Sequence, residues 1–295
     1  MGNHVGWELY RSYLSVLQEG SLSSAARALG IAQPTVGRHV AALEKALKLS
    51  LFTRSPLGLL PTEAALALRT YAEAMSSTAA ALKRAAESEG EGVRGTVRVT
   101  ASEVVGVEVL PPIIARLQAE HPALKVELAL TNQVQDLLRR EADIAVRMTP
   151  PKQESLIARH VGQVDLGLFA HKKYLSRRGT PRTLAELAGH ALIGFDHETP
   201  YLRAARKSWP AWQRDAFALR ADSDLAQLAM IRAGAGIGVC QVALARRDRQ
   251  LVRVLAGEFT HGLQTWLTMH EDLRGSARCK VTFDALLQGL QRHMA

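Results

Sequence analysis

Apolar positions recur with helical spacing through the first sixty residues. Leu9, Tyr13, Val16 and Leu17 fall at i, i+4, i+7 and i+8, which predicts a helix with one apolar face. Glu19-Gly20-Ser21 ends it, and Ser21 or Ser23 is placed to cap a second helix over Ser23–Leu29. That helix buries Ala25, Ala26 and Leu29 and stops at Gly30. A third starts at Gln33-Pro34, with proline in the first turn where its missing N–H costs nothing. Val36, Val40, Leu43 and Leu47 form its apolar stripe; Pro34, Arg38 and Lys45 lie opposite, flanked by Thr35 and Ala42. Two short helices joined by a tight glycine turn, the second with a polar-basic outer face, predict a helix-turn-helix.

The run Thr53-Arg54-Ser55-Pro56-Leu57-Gly58-Leu59-Leu60-Pro61 is punctuated by Pro and Gly and has the length of a wing. From Thr62-Glu63 a long helix extends to about Glu89. Leu68, Met75 and Leu82 are spaced by sevens and Tyr71, Thr78 and Ala85 interleave, the a/d pattern of a helix that dimerises. Gly90-Glu91-Gly92 reads as a hinge.

Beyond it the period changes. Thr96–Thr100 and Leu124–Leu130 alternate, Ile144-Ala145-Val146 is a short apolar run, and Val109–Glu120 and Gln133–Glu141 have helical spacing. Asp165–His171, Ala191–Phe195, Phe217–Arg220, Ile237–Val242 and Leu251–Leu255 continue as strands, and a helix over Val281–His293 follows. Strands alternating with helices predict largely parallel α/β lobes with a cleft between them.

Charge refines this picture without placing a nucleic-acid surface. The net charge is +9, yet residues 1–90 hold nine basic and seven acidic side chains, so most of the excess lies in the remaining chain. Local placement has to decide, and the segment Gln33–Arg54 carries Arg38, Lys45, Lys48 and Arg54 against Glu44 alone. The longest uncharged stretch, Ala233–Ala245, is too short to span a bilayer. No signal-like segment opens the chain, and two cysteines make no disulfide framework, so a reducing cytoplasm is expected.

The run Ala25-Ala26-Arg27-Ala28-Leu29-Gly30-Ile31-Ala32-Gln33-Pro34-Thr35-Val36-Gly37-Arg38 resembles the signature of LysR-type transcriptional regulators. The likeness continues through Leu43-Glu44, Leu51-Phe52-Thr53-Arg54 and Pro61-Thr62-Glu63-Ala64, dense over 7–66. It thins afterwards, at Leu110-Pro111-Pro112, His121-Pro122, Ala142-Asp143-Ile144-Ala145 and Ala233–Gly238. The resemblance implies an α/β protein in three parts. These are an all-α winged helix-turn-helix over 1–61, a linker helix and hinge over 62–91, and a two-lobed, periplasmic-binding-protein-like effector domain over 92–295. It also implies a homotetramer on promoter DNA and a small-molecule effector. From the residues themselves no membrane partner, cofactor or metal is expected, since the ten histidines are scattered without metal-ligand spacing. Gly37 departs from the pattern, standing where the family more often has serine, as do Leu60 in the wing and Ala65 after it.

By that resemblance Gln33, Pro34, Thr35, Arg38 and Lys45 lie on the recognition helix, Arg54 at the wing, and Ser23 and Ser24 at a helix start suited to phosphate. Ligands of such lobes sit at strand C-termini and helix N-termini. Ser102, Thr131, Asn132 and Arg147 are the candidates of one lobe, and Phe195, Asp196 and Ser223 those of the other. Helix N–H groups and Arg147 favour an anionic effector, whereas Glu103 opposes one if it faces inward.

Three other readings compete. Gly234-Ala235-Gly236-Ile237-Gly238 follows a helix and precedes a strand, the wrong order for a dinucleotide loop, and no catalytic motif accompanies it, which argues against an enzyme. A redox sensor would use Cys240 and Cys279, the latter beside Arg278 and Lys280. A solute-binding module without DNA binding leaves the first ninety residues unexplained.

Overall fold

Three left-handed residues divide the first helices. In a computed structural model α1 (Trp7–Glu19), α2 (Leu22–Leu29) and α3 (Gln33–Leu47) end at Gly20, Gly30 and Lys48, with φ of 72°, 67° and 56°. The structure describes residues 5–55, 58–86, 92–132, 141–151, 155–198, 202–203, 209 and 212–294. Ser21 is the α2 cap, its Oγ accepting the Ser24 N–H at 3.1 Å, so the helix begins one residue before Ser23. Val16, Ala25, Ala26, Val36 and Val40 pack where the three helices meet, and the alanines allow the close approach.

β1 (Phe52–Ser55) and β2 (Gly58–Pro61) form the antiparallel wing, with Arg54 opposite Leu59; the tip residues Pro56 and Leu57 lie outside the described residues. Glu44 anchors this hairpin, its Oε1 accepting the N–H groups of Leu51 (2.7 Å) and Phe52 (3.3 Å). At the other side Leu59 N–H donates to the Gly20 carbonyl. Gly58, at φ 118°, disfavours any side chain, because that backbone conformation is strained for other residues and a Cβ would press on that same carbonyl at 3.1 Å.

α4 (Glu63–Ala86) follows, capped by Thr62, whose Oγ1 accepts the Ala65 N–H. Tyr13 donates its hydroxyl to the Ala65 carbonyl, and Tyr13, Leu14, Leu43, Leu51, Ala65 and Ala72 form the core that fastens α4 to the helical unit. By its contacts the chain divides into an N-terminal unit ending at Ala86 and a second unit holding nearly all the rest. The hinge expected at 90–92 lies outside the described residues except for Gly92.

The second unit is built on β3 (Gly95–Ala101), β4 (Leu124–Leu130), β5 (Ile144–Arg147), β6 (Leu156–His171), β7 (Leu192–Gly194), β8 (Phe217–Arg220), β9 (Ile237–Gln241), β10 (Leu251–Val254) and β11 (His261–His270). They join in the order β4-β3-β5-β11-β6-β9-β7-β8, with β10 on β6. The helices are α5 (Leu110–Glu120), α6 (Lys172–Arg178), α7 (Asp224–Ala233), α8 (Val242–Ala245) and α9 (Ala277–Met294).

The expectation of largely parallel sheets needs correcting. β3 with β4 and β5, and β7 with β8 and β9, are parallel, but β6 and β11 run antiparallel to each other and to their neighbours. The chain crosses from one lobe to the other on β6 and returns on β11, and an outward and a return strand lying side by side must be antiparallel. The Asp165–His171 strand is the second half of β6; Arg159, His160 and Gln163 interrupt the apolar pattern of the first half. The helix expected at Gln133–Glu141 lies outside the described residues except for Glu141. Val105–Val109 is one π-helical turn leading into α5, and α9 begins at Ala277, before Val281.

The first lobe packs Val97, Val99, Ile144 and Leu267 of the sheet against Leu117 of α5 and Phe283 and Leu286 of α9. Two apolar clusters make the second lobe, one around Leu168, Trp212, Phe217 and Phe259, the other around Phe169, Ile193, Leu228, Ile231 and Cys240.

Candidate nucleic-acid interface and ligand cleft

The capped α2, the glycine turn and the buried stripe of α3 together fix which α3 side chains face solvent. Gln33, Pro34, Arg38 and Lys45 are exposed and Thr35 is half-buried. Arg38 Nη2 lies 3.3 Å from Thr35 Oγ1, which steers the guanidinium back toward the helix N-terminus. Ser23 is exposed at the start of α2, while Ser24 Oγ already accepts from Arg27 at 3.0 Å. Arg54 is exposed on β1. Exposed polar groups in the first turn of α3, with Arg38 in the next turn, Lys45 in the last and Arg54 on the wing, suit a major groove flanked by phosphates. Leu60 is exposed at 49%, an apolar side chain where a basic one would strengthen the wing. Glu44, the one acid of the segment, is half-buried and accepts the Leu51 and Phe52 N–H groups of the wing.

α4 does not present its heptad as expected. Leu68 is half-buried and packs on the Tyr13 and Leu43 core, whereas Tyr71 (70% exposed), Met75 and Leu82 (73% exposed) face outward. Thr78 is exposed among them. The outward stripe is therefore Tyr71, Met75, Thr78 and Leu82, spaced by four, three and four.

In the second unit the sequence candidates converge from both lobes. Ser102 follows β3 directly, and its carbonyl accepts the Gly106 N–H at 2.8 Å. Thr131 N–H donates to the Ala101 carbonyl, so β4 ends beside β3. Glu103 N–H donates to Asn132 Oδ1 at 3.2 Å, and Asn132 Nδ2 donates to Asp224 Oδ2 of the opposite lobe at 2.9 Å. Ser223 caps α7 and donates its hydroxyl to Glu103 Oε2 at 2.7 Å. Glu103 thus faces inward. Burial, with Glu103 nearby, raises the Asp224 carboxyl to about 6.

Other candidates lie farther from that junction. Arg147 ends β5 and donates to Thr100 Oγ1 at 3.3 Å. Asp196 pairs with Arg214 at 2.8 Å, and its N–H donates to Asp222, the residue before Ser223. His197 Nδ1 lies 2.5 Å from Asp222 Oδ2, and that carboxylate raises the imidazole pKa. Asp196, His197 and Asp222 are close enough to share an ion but are largely exposed. Phe195 is half-buried and packs against the second-lobe core.

Sequence reading missed Asp224 and Trp266. Trp266 stands directly opposite Arg147 in the β11–β5 pairing, and its buried indole N–H has no hydrogen-bond partner among the described residues. The alternation of Leu263, Thr265 and Leu267 could have disclosed β11; the opposite-lobe position of Asp224 has no local signal.

The lobes are also tied by Glu108 and Arg232, whose two contacts measure 2.5 and 3.0 Å. Both cysteines are buried, Cys240 in the second lobe and Cys279 in the first, and burial pushes the Cys240 thiol up to about 12. Cys279 lies in the first turn of α9, and its basic neighbours Arg278 and Lys280 do not bring it to the surface. Among the described residues no helix is long and apolar enough to cross a membrane.

Residues 7–66 match the bacterial regulatory helix-turn-helix model of the lysR family, and residues 90–291 match the LysR substrate binding domain. The chain is 31% identical over 186 residues to an HTH-type transcriptional regulator of Xanthomonas campestris pv. campestris, covering 62% of this chain and 53% of the relative. It is 29% identical over 183 residues to the regulator CrgA of Neisseria meningitidis serogroup C, covering 62% and 61%. The matches thus span about half to three fifths of these curated relatives. In fold it is similar to the solved CrgA structure, with a TM-score of 0.60, 24% identity, and 96% and 98% of the two chains covered. The structure of full-length CbnR complexed with target DNA gives a TM-score of 0.65 at 19% identity, covering 98% and 99%.

Proposed function

From the premise that this chain belongs to the LysR family of helix-turn-helix regulators, we propose that it binds promoter DNA through α3 and the wing, under control of a small effector held between its two lobes. The observation that carries the DNA reading is the outer face of α3, with Gln33, Pro34, Arg38 and Lys45 exposed above a buried stripe. In this reading Gln33, Pro34, Thr35 and Arg38 meet base edges, and Lys45, Arg54, Ser23 and Ser24 meet phosphates. The relatives are regulators, and no enzymatic step is proposed.

The effector we propose is a small molecule with an anionic group and a second, hydrogen-bond-donating end. Arg147 and the indole N–H of Trp266 would take the anionic end, and Ser102, Thr131, Asn132 and Ser223 would supply hydroxyl and amide partners. Glu103 and Asp224 oppose a purely anionic ligand and favour a donor such as a hydroxyl or ammonium beside them. Phe195 and Asp196 would border the site from the second lobe. Self-association is proposed along the Tyr71, Met75, Thr78 and Leu82 stripe of α4, with tetramers built from such dimers. Chromatin-free footprinting on genomic fragments, repeated with Arg38→Ala, tests the DNA reading. Discrete footprints with a steep salt dependence, lost in Arg38→Ala, are expected; identical footprints for both proteins would overturn the α3 assignment.

A further inference from the structure

We propose a second ligand site in the first lobe, outside the interlobe cleft, that takes a small amphiphilic carboxylate. A pocket of about 500 Å³ lies where the first turns of α9 meet β6 and β11. Its volume falls in the range of small-molecule sites.

The lining has two chemistries. Ile157, Met269 and Phe283 supply an apolar floor, with Met269 and Phe283 buried in the lobe core and Ile157 paired with Met269 across the strands. Arg159, Arg274 and Lys280 rim the pocket, are exposed, and make no ion pair with a described residue. Asp284 is the one acid in the lining among the described residues. Lys280, Phe283 and Asp284 fall at i, i+3 and i+4 of α9, one helical face that brings an aromatic floor and a cation to the same opening.

Three cations around an apolar floor favour a ligand with a carboxylate head and a compact aromatic or aliphatic body. A bare inorganic anion would use the rim and leave the floor hydrated, and a neutral hydrocarbon would leave three cations unpaired. The position matters for regulation. β6 and β11 are the strands that pass from this lobe to the other, and the pocket draws on Ile157 and Arg159 of one and Met269 of the other. A ligand bridging both strands and α9 would bind more tightly in one arrangement of the lobes and so bias it.

The test is calorimetric titration of the full chain with benzoate, octanoate and inorganic phosphate. One benzoate or octanoate per chain is expected, weakened about fivefold or more by Arg274→Ala and by Lys280→Ala. Asp284→Asn is expected to tighten it, and the cleft variant Arg147→Ala, whose hydrogen bonds to Val146 and Thr100 stay within the first lobe, to leave it unchanged. Loss in Arg147→Ala with no effect of Arg274→Ala or Lys280→Ala would place the ligand in the cleft and overturn the second site. Phosphate binding as tightly as the carboxylates would overturn the amphiphile assignment, and failure of all three probes would overturn the site itself.

Discussion

Asn132 donates to Asp224 at 2.9 Å, and that single hydrogen bond joins the end of β4 in one lobe to the first turn of α7 in the other. Asp224 is raised to about 6 by burial and by Glu103. Between the unfolded carboxyl value near 4 and that value, the native state holds a proton that the unfolded chain has lost. Stability therefore falls as pH rises through this window, by at most about 3 kcal/mol. Asp224→Asn is expected to flatten this fall and to melt above wild type at pH 8. Thermal unfolding at pH 4.5, 6 and 8 measures it; an unchanged pH slope would show that Asp224 does not control the junction.

Gly37 sits inside α3 with space around it. A Cβ there would meet only Leu22 Cδ1, at 3.7 Å, an ordinary contact. Glycine costs a helix interior about 1 kcal/mol relative to alanine. Gly37→Ala is expected to stabilise the N-terminal unit by roughly 0.5–1 kcal/mol, read by urea unfolding. Gly37→Ser should recover part of that gain. A loss of stability in Gly37→Ala would mean that the helix needs glycine here for a reason the packing does not show.

The two faces of α4 predict different failures. Tyr71 and Leu82 are exposed at 70% and 73%, and Leu68 packs inward on the Tyr13 core. Tyr71→Glu with Leu82→Glu is expected to give folded monomers by sedimentation, with an unchanged urea midpoint at fixed protein concentration apart from the lost association. Leu68→Glu is expected instead to cost about 2–4 kcal/mol by burying a charge. Dimers that persist in the double variant would rule out this stripe as the interface.

How much of this was readable from residues alone depended on the range of the interaction. Helices α1 to α3 were legible because their stripes, caps and left-handed glycines are local, and the exposed face of Arg38 and Lys45 follows from the stripe. The heptad in α4 misled at Leu68, because a period of seven cannot say which of two apolar neighbours, the helical core or a second copy, a position meets. β11 escaped because half of its residues are polar on a strand buried between β5 and β6. The cleft candidates were placed by strand ends, which are local, but the Glu103–Ser223 and Asn132–Asp224 contacts join residues about a hundred positions apart. Cys279 is the opposite case: its basic neighbours Arg278 and Lys280 made it a redox candidate, yet helical spacing turns the cysteine into the core and Arg278 donates to the Thr96 carbonyl.

Glu108 and Arg232 respond to acid in the sense opposite to Asp224. Hydrogen bonding to Arg232 holds the Glu108 carboxyl below its ordinary value, so its contribution is present above the unfolded carboxyl pKa and is lost as pH falls through the native one. The pair spans the lobes from the π-helical turn at 105–109 to α7, and Arg247 adds a hydrogen bond to the Glu108 carbonyl at 3.0 Å. Acid thus relieves one interlobe contact, at Asp224, while it weakens another at Glu108. Arg232→Ala is expected to destabilise the protein by about 1–2 kcal/mol at pH 7 and by less near pH 3.5. In the Asp224→Asn background the Arg232→Ala cost should keep the same pH trend, since the two acids answer to different partners. Urea unfolding of the four proteins across pH 3.5–8 decides it: an Arg232→Ala cost that grows toward acid would refute the ionic origin of the tie.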